Sequence, residues 1–411
     1  MAQSAMQTLP LDQTVRVGAG TAPGFVVRVS HRIAEVEKLW RDLTAHVIES
    51  PGQDFGFIDL WTKAFGIAEA DQFFITAFDG DAPVALMALQ RRREMGIRVL
   101  SWFPGAHVGC GAPIVDRARV VAMAPARRRK LWLDMLRGIE GADVVYLKSV
   151  PQLIVEGADL FAELGQSIGA DTLYRAHFAS FEDADRTQRN KSRRKHDRQQ
   201  GEKLEAMGQV SFEALGNGPA ALAALDTMFA QRAARFDEMG VFNPFSVPAV
   251  RGFYDDSVRE NSGVPVRLHV LRLDGRIVAM RYSISHGERL FCLISSMSED
   301  AALRPGSPGK QCLLRLMQSI FGEGFSTFDM GEGFTDEKRH WCNEQFPVRH
   351  HYVPVTRRGA LAASLHRRIQ VAKARIKSDS RLLEMAKRAR GLILGVTKKG
   401  AAPVATAPET D

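Results

Sequence analysis

The sequence predicts an α+β protein with two similar domains in tandem, each a mainly antiparallel sheet flanked by helices, and a basic helical tail. Two observations support this prediction. The same order of elements, a hairpin, a third strand, a helix and a last strand, occurs twice. Each hairpin also turns at an Asp-Gly pair, with the glycines at Gly80 and Gly275. Repetition on this scale indicates a duplicated domain, although chance agreement of two short patterns would give the same order.

The first copy begins with a strand at 25–29 and an amphipathic helix. Its hairpin strands, third strand, helix and last strand are predicted at residues 73–78, 83–90, 97–102, 126–140 and 144–147. The segment before the helix, DRARVVAMAPARRRK, contains no glycine. Because only glycine lets a backbone approach a ligand closely in such a turn, we expect this copy to be degenerate.

The second copy contains the stretch with the strongest chemical signal. Its strands and helix are predicted at residues 267–273, 276–285, 290–296, 309–322 and 325–330, after a helix at 219–239. The predicted division of the chain is a disordered leader at 1–24, domains at 25–180 and 209–356, a basic helix or linker at 181–208, and a tail at 357–411.

A glycine-rich turn precedes the helix of the second copy. Backbone N–H groups at such a turn, the positive end of the helix and Lys310 suit a phosphate or pyrophosphate. A Walker A loop is excluded, because only Ser307 and Pro308 separate Gly306 from Gly309-Lys310. An ordinary turn before a helix is the alternative interpretation. The candidate binding residues are Gly306, Ser307, Gly309 and Lys310.

Charged residues gather where the last strand of the second copy ends. Asp329 and Glu332 are candidates for a general base, because a carboxylate at a strand end can accept a proton from a reacting group. Carboxylates in glycine-rich turns also cap neighbouring N–H groups, and this structural role is the alternative.

Three segments of the second copy, RLDGRIVAMRYSI, SPGKQCLL and FDMGEGFTDEKRHW, carry a family resemblance. They resemble the Gcn5-related N-acetyltransferase (GNAT) domain of cellulose-biosynthesis CelD-like proteins, a distant relative of the Fem peptidyltransferases. The resemblance covers about residues 180–355, and the first copy more loosely. It implies two GNAT-like domains, and it implies that the loop before the helix holds the pyrophosphate of coenzyme A. Lys338 matches the family's lysine, which would hold an anionic part of the acceptor or the developing oxyanion, and Glu337 stands where the family has tyrosine.

A basic run at 186–203 contains eight Lys/Arg residues against Asp197 and Glu202. Such a run is commonly a solvated helix or linker. Related proteins have an arginine-rich helix at this place, so the resemblance favours a basic helix beside the acceptor cleft. We predict Arg193, Arg194 and Trp341 as substrate-binding residues.

The positive charge of the chain is concentrated at one end. Residues 357–411 contain thirteen Lys/Arg and four Asp/Glu, a net charge of +9 against +8 for the whole chain, which leaves −1 for the rest. This distribution argues against a globally basic nucleic-acid binder. Within the tail, 361–394 predicts a basic amphipathic helix that either lies on an anionic membrane or docks on the protein's own body. Residues 397–411 are expected to be disordered.

The remaining signals concern compartment and metals. Residues 1–24 lack the apolar segment of a signal peptide, and no apolar run is long enough to span a membrane. The four cysteines fit neither a disulfide framework nor a zinc site, which favours a reducing cytoplasm and no metal.

Together these observations predict a cytoplasmic acyltransferase, placed peripherally at the inner membrane if its tail binds lipid. It would transfer an acetyl group from acetyl-CoA to an amine or hydroxyl of a small-molecule or glycan-precursor acceptor, linked through the resemblance to polysaccharide or cell-envelope biosynthesis. One alternative is a transferase that uses aminoacyl-tRNA, as the Fem relatives do, although nucleic acid is disfavoured by the charge distribution. Another is a non-catalytic scaffold in polysaccharide export.

Overall fold

The computed structural model describes residues 24–378 apart from 105–107, 138, 153 and 156–157. The predicted leader therefore lies almost entirely outside the described residues, as do the predicted disordered end and the tail beyond Ser378. Within the described residues, no helix has both the length and the apolar character needed to cross a bilayer.

The first half, residues 24–180, contains nine strands and four α-helices within its described part. The strands are β1 (Val26–Ser30), β2 (Gln72–Asp79), β3 (Ala82–Glu94), β4 (Ile97–Trp102), β5 (Ile114–Val115), β6 (Val144–Pro151), β7 (Ile154–Val155), β8 (Ala158–Asp159) and β9 (Gln166–His177). The helices are α1 (Glu37–Thr44), α2 (Phe55–Ala64), α3 (Arg117–Ala122) and α4 (Pro125–Leu136).

The second half, residues 181–378, repeats this order after two additional helices. Its helices are α5 (Phe181–Gln188), α6 (Lys191–Glu205), α7 (Pro219–Met239), α8 (Pro248–Ser257), α9 (Pro308–Gly322), α10 (Asp336–Trp341) and α11 (Arg357–Ser378). Its strands are β10 (Val210–Leu215), β11 (Val266–Leu273), β12 (Arg276–His286), β13 (Arg289–Met297), β14 (Thr327–Glu332) and β15 (Glu344–Pro354).

One large sheet joins the two halves. Its order is β1-β2-β3-β4-β6-β15-β9-β14-β13-β12-β11-β10, and β5 pairs with β3. Read from either end, four antiparallel strands come first, and the fifth runs parallel to the fourth. The last strand of each half then lies in the other half, because β9 pairs with β14 and β15 pairs with β6. The predicted boundary at residue 180 therefore separates β9 from β14 and β15, the two strands with which it pairs.

Each parallel pair of strands separates soon after it forms. Between β13 and β14 only Arg289–Phe291 and Thr327–Asp329 are paired. Between β4 and β6 only Val99 and Leu100 have partners. Beyond these pairs the strands diverge toward their carboxyl ends. We refer to the gap between β13 and β14 as the second-half opening and to the gap between β4 and β6 as the first-half opening.

The helices on one face of the sheet pack into a core shared by both halves. The rings of Phe57 and Trp61 on α2 lie 4.9 and 5.0 Å from that of Phe253 on α8. Full burial of a side chain of this size is worth about 1.5–3 kcal/mol. The same core contains Leu225 and Met228 of α7. The two halves are therefore held together by apolar packing as well as by the exchanged strands.

Candidate active site

The predicted anion-binding turn lies at the start of α9 and leans on α6. Ser307 is the N-cap, with a φ of 46° and no side-chain cap hydrogen bond. Its hydroxyl oxygen accepts a hydrogen bond of 2.7 Å from Nε2 of Gln200 on α6. A Cβ on Gly306 would lie 2.9 Å from Cβ of Leu204, so this glycine permits close packing of α6. Gly306 and Ser307 therefore position the helix start.

Gly309 faces a cavity of about 160 Å³ at the mouth of the second-half opening. A Cβ on Gly309 would lie 3.1 Å from the sulfur of Met297, at the end of β13. The cavity lies between α7, the middle of β12, the carboxyl end of β13, the start of α9 and one residue of α10. Its polar and charged lining residues are Gln231, Arg232, Arg235, Arg281, Ser295, Ser296, Glu299 and Glu337. The half-buried Lys310 follows Gly309 and is absent from this lining.

Two arginines of α7 bring positive charge to the cavity. The Nε atom of Arg232 is buried and has no hydrogen-bond partner among the described residues. Burial, and after it the nearby Arg235, lowers the pKa of the Arg232 guanidinium. Arg235 is more exposed and pairs with Glu238 at 2.7 Å. The guanidinium of Arg232 donates one long hydrogen bond of 3.4 Å to the carbonyl oxygen of Ser295, and a cationic group with a further unpartnered N–H beside a helix start suits an anionic ligand.

Arg281 carries a third positive charge to the cavity and is buried. Its guanidinium donates a hydrogen bond of 2.8 Å to Glu337 of α10. Glu337, which replaces the tyrosine of the family pattern, thus neutralises a buried arginine inside the opening. This pair ties α10 to β12 across the diverging strands.

Asp329 on β14 is held by two strong contacts. One oxygen accepts a hydrogen bond of 2.7 Å from Nε of Arg175, and the other accepts one of 2.8 Å from the N–H of Gly331. The side chain is buried. A carboxylate bound on both oxygens in this way has a structural function in this state, the alternative that the sequence left open.

Arg175 belongs to a buried ionic cluster where the halves meet. Glu49 accepts from Arg175 at 2.9 Å and from Arg289 at 3.2 Å, and it also pairs with Arg117. Burial and the neighbouring arginines lower the pKa of Arg117 and of Arg289 to about 10. With Asp329 the cluster has three positive and two negative groups. It connects strands β9, β13 and β14 to the loop that contains Glu49.

Glu332 is the last residue of β14, the strand that borders the second-half opening on the side away from β13. It is half-buried, and its Oε2 atom is buried without a hydrogen-bond partner among the described residues. Burial, then Asp329 and more weakly Glu332, raises the pKa of the Cys110 thiol to about 12. A carboxylate oxygen that is enclosed and unpartnered can accept a proton without first breaking another contact.

Lys338 of α10 fastens the turn after β14. Its ammonium donates to the carbonyl oxygens of Gly331, Glu332 and Gly333 at 3.1, 2.7 and 2.7 Å. Three donors thus have three acceptors, and burial lowers the pKa of the amine. Lys338 therefore fixes the backbone that presents Glu332, and its predicted role toward an anionic acceptor would need these contacts to be exchanged.

The predicted substrate-binding residues lie away from the cavity lining. Arg193 donates to Asp197 at 3.2 Å, within α6, and Arg194 donates to Asp185 at 3.0 Å. Trp341 is buried, with the guanidinium of Arg189 4.9 Å from its ring centroid. The structure thus brings Gly309 to the cavity and Glu332 to the facing strand, and it places these three residues in structural contacts.

Sequence reasoning missed the contributions of Arg232, Arg235 and Arg281. The two α7 arginines are three residues apart on a polar face, but nothing local indicates that this face meets the start of α9. Among the described residues, no group of His, Cys, Asp and Glu could hold a metal ion.

Comparisons with known proteins agree with this geometry. Residues 191–339 match a family model described as an acetyltransferase (GNAT) domain. The match includes α6, α7, α8, the four antiparallel strands β10 to β13, α9, β14 and most of α10. Together with the repeated strand order, it confirms the predicted fold class of two GNAT-like domains in tandem. Comparison with curated proteins gives no match.

Solved structures with similar folds include three proteins of low sequence identity. The C-terminal domain of a putative lysylphosphatidylglycerol synthetase from Agrobacterium fabrum is 14% identical, with a TM-score of 0.51 over 81% of this chain and 95% of that chain. FemX is 11% identical, with a TM-score of 0.49 over 77% and 95%. A tandem GNAT protein from the clavulanic acid biosynthesis pathway is 10% identical, with a TM-score of 0.41 over 80% and 98%. At these identities the similarity concerns the fold.

Proposed function

We propose that the protein is an acyltransferase that takes its acyl group from an acyl-CoA, most simply acetyl-CoA. The acceptor would be an amine or a hydroxyl of a small molecule or glycan precursor. The link of this acceptor to polysaccharide or cell-envelope biosynthesis rests on the resemblance to CelD-like proteins. The GNAT-type domain at 191–339 supports the reaction class.

The second-half opening is the observation that carries this proposal. Beyond Phe291 and Asp329 the two strands have no further ladder pairs among the described residues, although both lie inside a large sheet. Backbone groups on such strands normally find partners. The ladder between β12 and β13 also shifts at Tyr282/Ser283 and leaves Leu293 unpaired there, which loosens β13 near the separation. The pantetheine arm of coenzyme A is extended and carries amide donors and acceptors that suit these edges.

The residues around the opening fit the phosphates of such a ligand. Gly309 leaves room that a Cβ would fill, and the buried Nε of Arg232 lacks a partner in the described chain. Gly309, Arg232 and Arg235 would hold the pyrophosphate, with Lys310 beside them. The unpaired N–H groups of the first turn of α9 add donors to this set.

Within this arrangement Glu332 is the residue proposed to move a proton. When bound, an acyl-CoA supplies an acyl group activated as a thioester. Glu332 would accept the proton that the acceptor amine or hydroxyl releases, because its Oε2 is enclosed and unpartnered. Lys338 holds the backbone of Glu332, and Arg175 holds Asp329 on the same strand. Lys338 and Arg175 therefore act as positioning residues.

Calorimetric titration with acetyl-CoA tests the proposal. Gly309→Val places a branched side chain against Met297 and into the cavity, so we expect binding to be lost in a folded protein. Gly322→Val is the matched control, because the same change at the far end of α9 meets no atom within 4 Å. Failure of the native protein to bind acetyl-CoA, or equal affinity in both variants, would remove the basis of the acyl-CoA assignment.

A transferase that uses aminoacyl-tRNA is the second candidate, and one observation favours it. Lys191, Lys195 and Arg198 of α6 are exposed, and α6 touches the start of α9 through Gln200. A polyanion could follow this basic face toward the opening. Retention of tRNA at low salt that falls steeply as salt rises, without acetyl-CoA binding, would support this candidate. A protein that binds neither acetyl-CoA nor tRNA would instead favour the third alternative, a non-catalytic scaffold in polysaccharide export.

A further inference from the structure

Helix α11 docks on the first half through small and polar residues. Gly359 lies so close to the backbone of Asp143 that a Cβ would overlap its carbonyl oxygen. Ala363 is buried, and Nδ1 of His366 lies 3.0 Å from the hydroxyl of Tyr352. Nε of Arg358 donates to Asp143 at 2.8 Å. The described part of the tail therefore docks on the body, one of the two outcomes that its sequence allowed.

The large apolar side chains of α11 point away from this contact. Leu361, Leu365 and Ile369 are 74%, 59% and 42% exposed. Their spacing of four residues puts them on one stripe, opposite the face that contains Gly359 and Ala363. These side chains take little part in attaching the helix, and the stripe has no cover in the described chain. A contiguous exposed apolar surface of this kind indicates a binding face.

The charge of α11 limits what can cover the stripe. The helix contains seven Arg/Lys residues and no Asp/Glu. Arg357 and Arg368 are exposed, have no ion pair among the described residues, and lie along the stripe at four residues before and seven after Leu361. A second copy of this helix would bring an equal positive charge against the first. A surface that is anionic outside and apolar beneath could contact both the arginines and the apolar stripe.

We propose that α11 binds the protein to the surface of an anionic lipid bilayer, independently of the proposed reaction. Leu361, Leu365 and Ile369 would enter the boundary between headgroups and acyl chains, and Arg357 and Arg368 would contact lipid phosphates. Because α11 is fixed to the body by its other face, binding would set the orientation of the whole protein on the membrane.

Co-sedimentation of the full chain with two kinds of vesicle tests this site. One kind is phosphatidylcholine alone, and the other contains phosphatidylglycerol as well. We expect at least tenfold stronger binding to the anionic vesicles, weakened by salt, because each basic residue at such a surface contributes about 1 kcal/mol. The double variant Leu361→Glu/Leu365→Glu should lose at least a factor of ten. Phe242→Glu is the matched control, since Phe242 is 71% exposed on a loop outside α11, and it should bind like the native protein.

Reversal of charge supplies a second variant that keeps the stripe. Arg357→Glu/Arg368→Glu should also weaken binding at least tenfold at low salt and differ less from the native protein at high salt. Circular dichroism and acetyl-CoA titration of every variant separate loss of the membrane site from loss of folding or of the proposed cosubstrate site.

Four outcomes would overturn the proposal. Equal binding to both kinds of vesicle, or an unchanged affinity of the two double variants, would exclude α11 as an anionic-lipid site. A dimer that Leu361→Glu/Leu365→Glu abolishes, in a protein that does not bind vesicles, would assign the stripe to a second copy. Vesicle binding by a chain ending at Ser378, but not by the full chain, would show that residues 379–411 cover it.

Discussion

The two openings of the sheet are formed in the same way, by a short parallel pair of strands that diverges. The first-half opening is filled by the chain itself, whereas the second-half opening is not filled by the described residues. In the first-half opening the chain fills the gap itself: the indole N–H of Trp102 donates to the carbonyl of Lys148 at 3.1 Å, and the N–H of Gly111 donates to that of Ser149 at 3.1 Å. A Cβ on Gly111 would lie 2.4 Å from the Trp102 ring. In the second-half opening, a charged cavity and unpaired strand edges occupy the corresponding place. A duplicated fold thus keeps its shape while one copy closes the space that the other leaves for a ligand.

The difference continues in the side chains at the strand ends. Both β6 and β14 contain an irregularity in their pairing, and through it Leu147 and Val150 correspond to Asp329 and Glu332. Leu147 and Val150 are completely buried apolar residues. The first half therefore has no carboxylate where the second half presents two.

The exchanged strands differ in the same way. Arg175 of β9 pairs with Asp329, whereas His351 of β15 pairs with Leu147. His351 is buried, and its Nδ1 has no hydrogen-bond partner among the described residues. Ser149 and Gly331, each inside its irregularity, both adopt positive φ, 52° and 76°. Strands β6 and β14 thus share the same backbone irregularity, whereas the carboxylates of Asp329 and Glu332 have no counterpart in the first half.

Loss of the carboxylate at the end of β14 should have the largest effect. Glu332→Gln preserves size but cannot accept a proton, so we expect turnover to fall about 10² to 10⁴-fold with acetyl-CoA affinity unchanged. Steady-state kinetics and calorimetry measure the two quantities. Glu323→Gln, at the far end of α9, is the control and should keep the native rate. A native turnover rate in Glu332→Gln would show that Glu332 is not the general base, and the two openings would then not differ in this respect.

Disruption of the buried ionic cluster should cost nearly as much in stability. Arg175→Met leaves Glu49 and Asp329 buried with fewer partners, and we expect a loss of about 3–5 kcal/mol in the free energy of unfolding. Urea denaturation measures it. Arg198→Met removes an exposed pair with Glu202 and should change stability by less than about 1 kcal/mol. Equal stabilities of the two variants would mean that the cluster does not hold the halves together.

Acid should destabilise the protein through His351. Burial, and after it Arg349 and His350, lowers the pKa of His351 to about 4. The unfolded chain binds a proton near its ordinary pKa of about 6.5, so stability falls as pH decreases from there toward 4, by up to about 3 kcal/mol for this group. His351→Leu should remove that part of the pH dependence in urea titrations. An unchanged slope would indicate that His351 is solvated in the native state.

The smallest expected effect on stability comes from valine substitutions of the glycines at the two openings, Gly111 and Gly309. Gly111→Val forces a side chain against Trp102 and should destabilise the protein by about 1–3 kcal/mol, with any remaining folded protein binding acetyl-CoA normally. Gly309→Val should do the reverse, losing affinity with little change in stability. Thermal unfolding and calorimetry on both variants give the four values. The same phenotype in both would contradict the distinction between a filled and a free opening.

Local signals in the sequence predicted much of the second half. The Asp274-Gly275 turn, with φ of 49° and 76°, is the hairpin that this dipeptide favours. The predicted helix 309–322 corresponds to α9, because its apolar spacing and its Pro-Gly start are local features. Such features depend on neighbours in the chain, and they are therefore readable without tertiary contacts.

Long-range placement accounts for what the sequence did not reveal. The exchange of β9 and β15 depends on pairing between residues far apart in the chain, for which neither strand carries a distinct pattern. Contact of Trp341 with substrate stays a prediction, and its packing against Phe181 of α5 and Arg189 of the loop after α5 is not readable from its own segment. Arg232 lies near Gly309 for the same reason. Which residues a side chain contacts depends on the packing of distant elements, and the local sequence around it does not reveal this.

The exchanged strands also impose an order on how the chain folds during synthesis. The first half lacks β15, its neighbour for β6, until residues 344–354 have left the ribosome. Until then β6 presents a free apolar edge, which is the kind of surface that other chains and chaperones bind. A domain whose strands all come from one continuous segment can complete its sheet as soon as that segment has emerged. We therefore expect nascent chains that stop before residue 344 to remain sensitive to protease in their first half, although residues 24–180 have all been made.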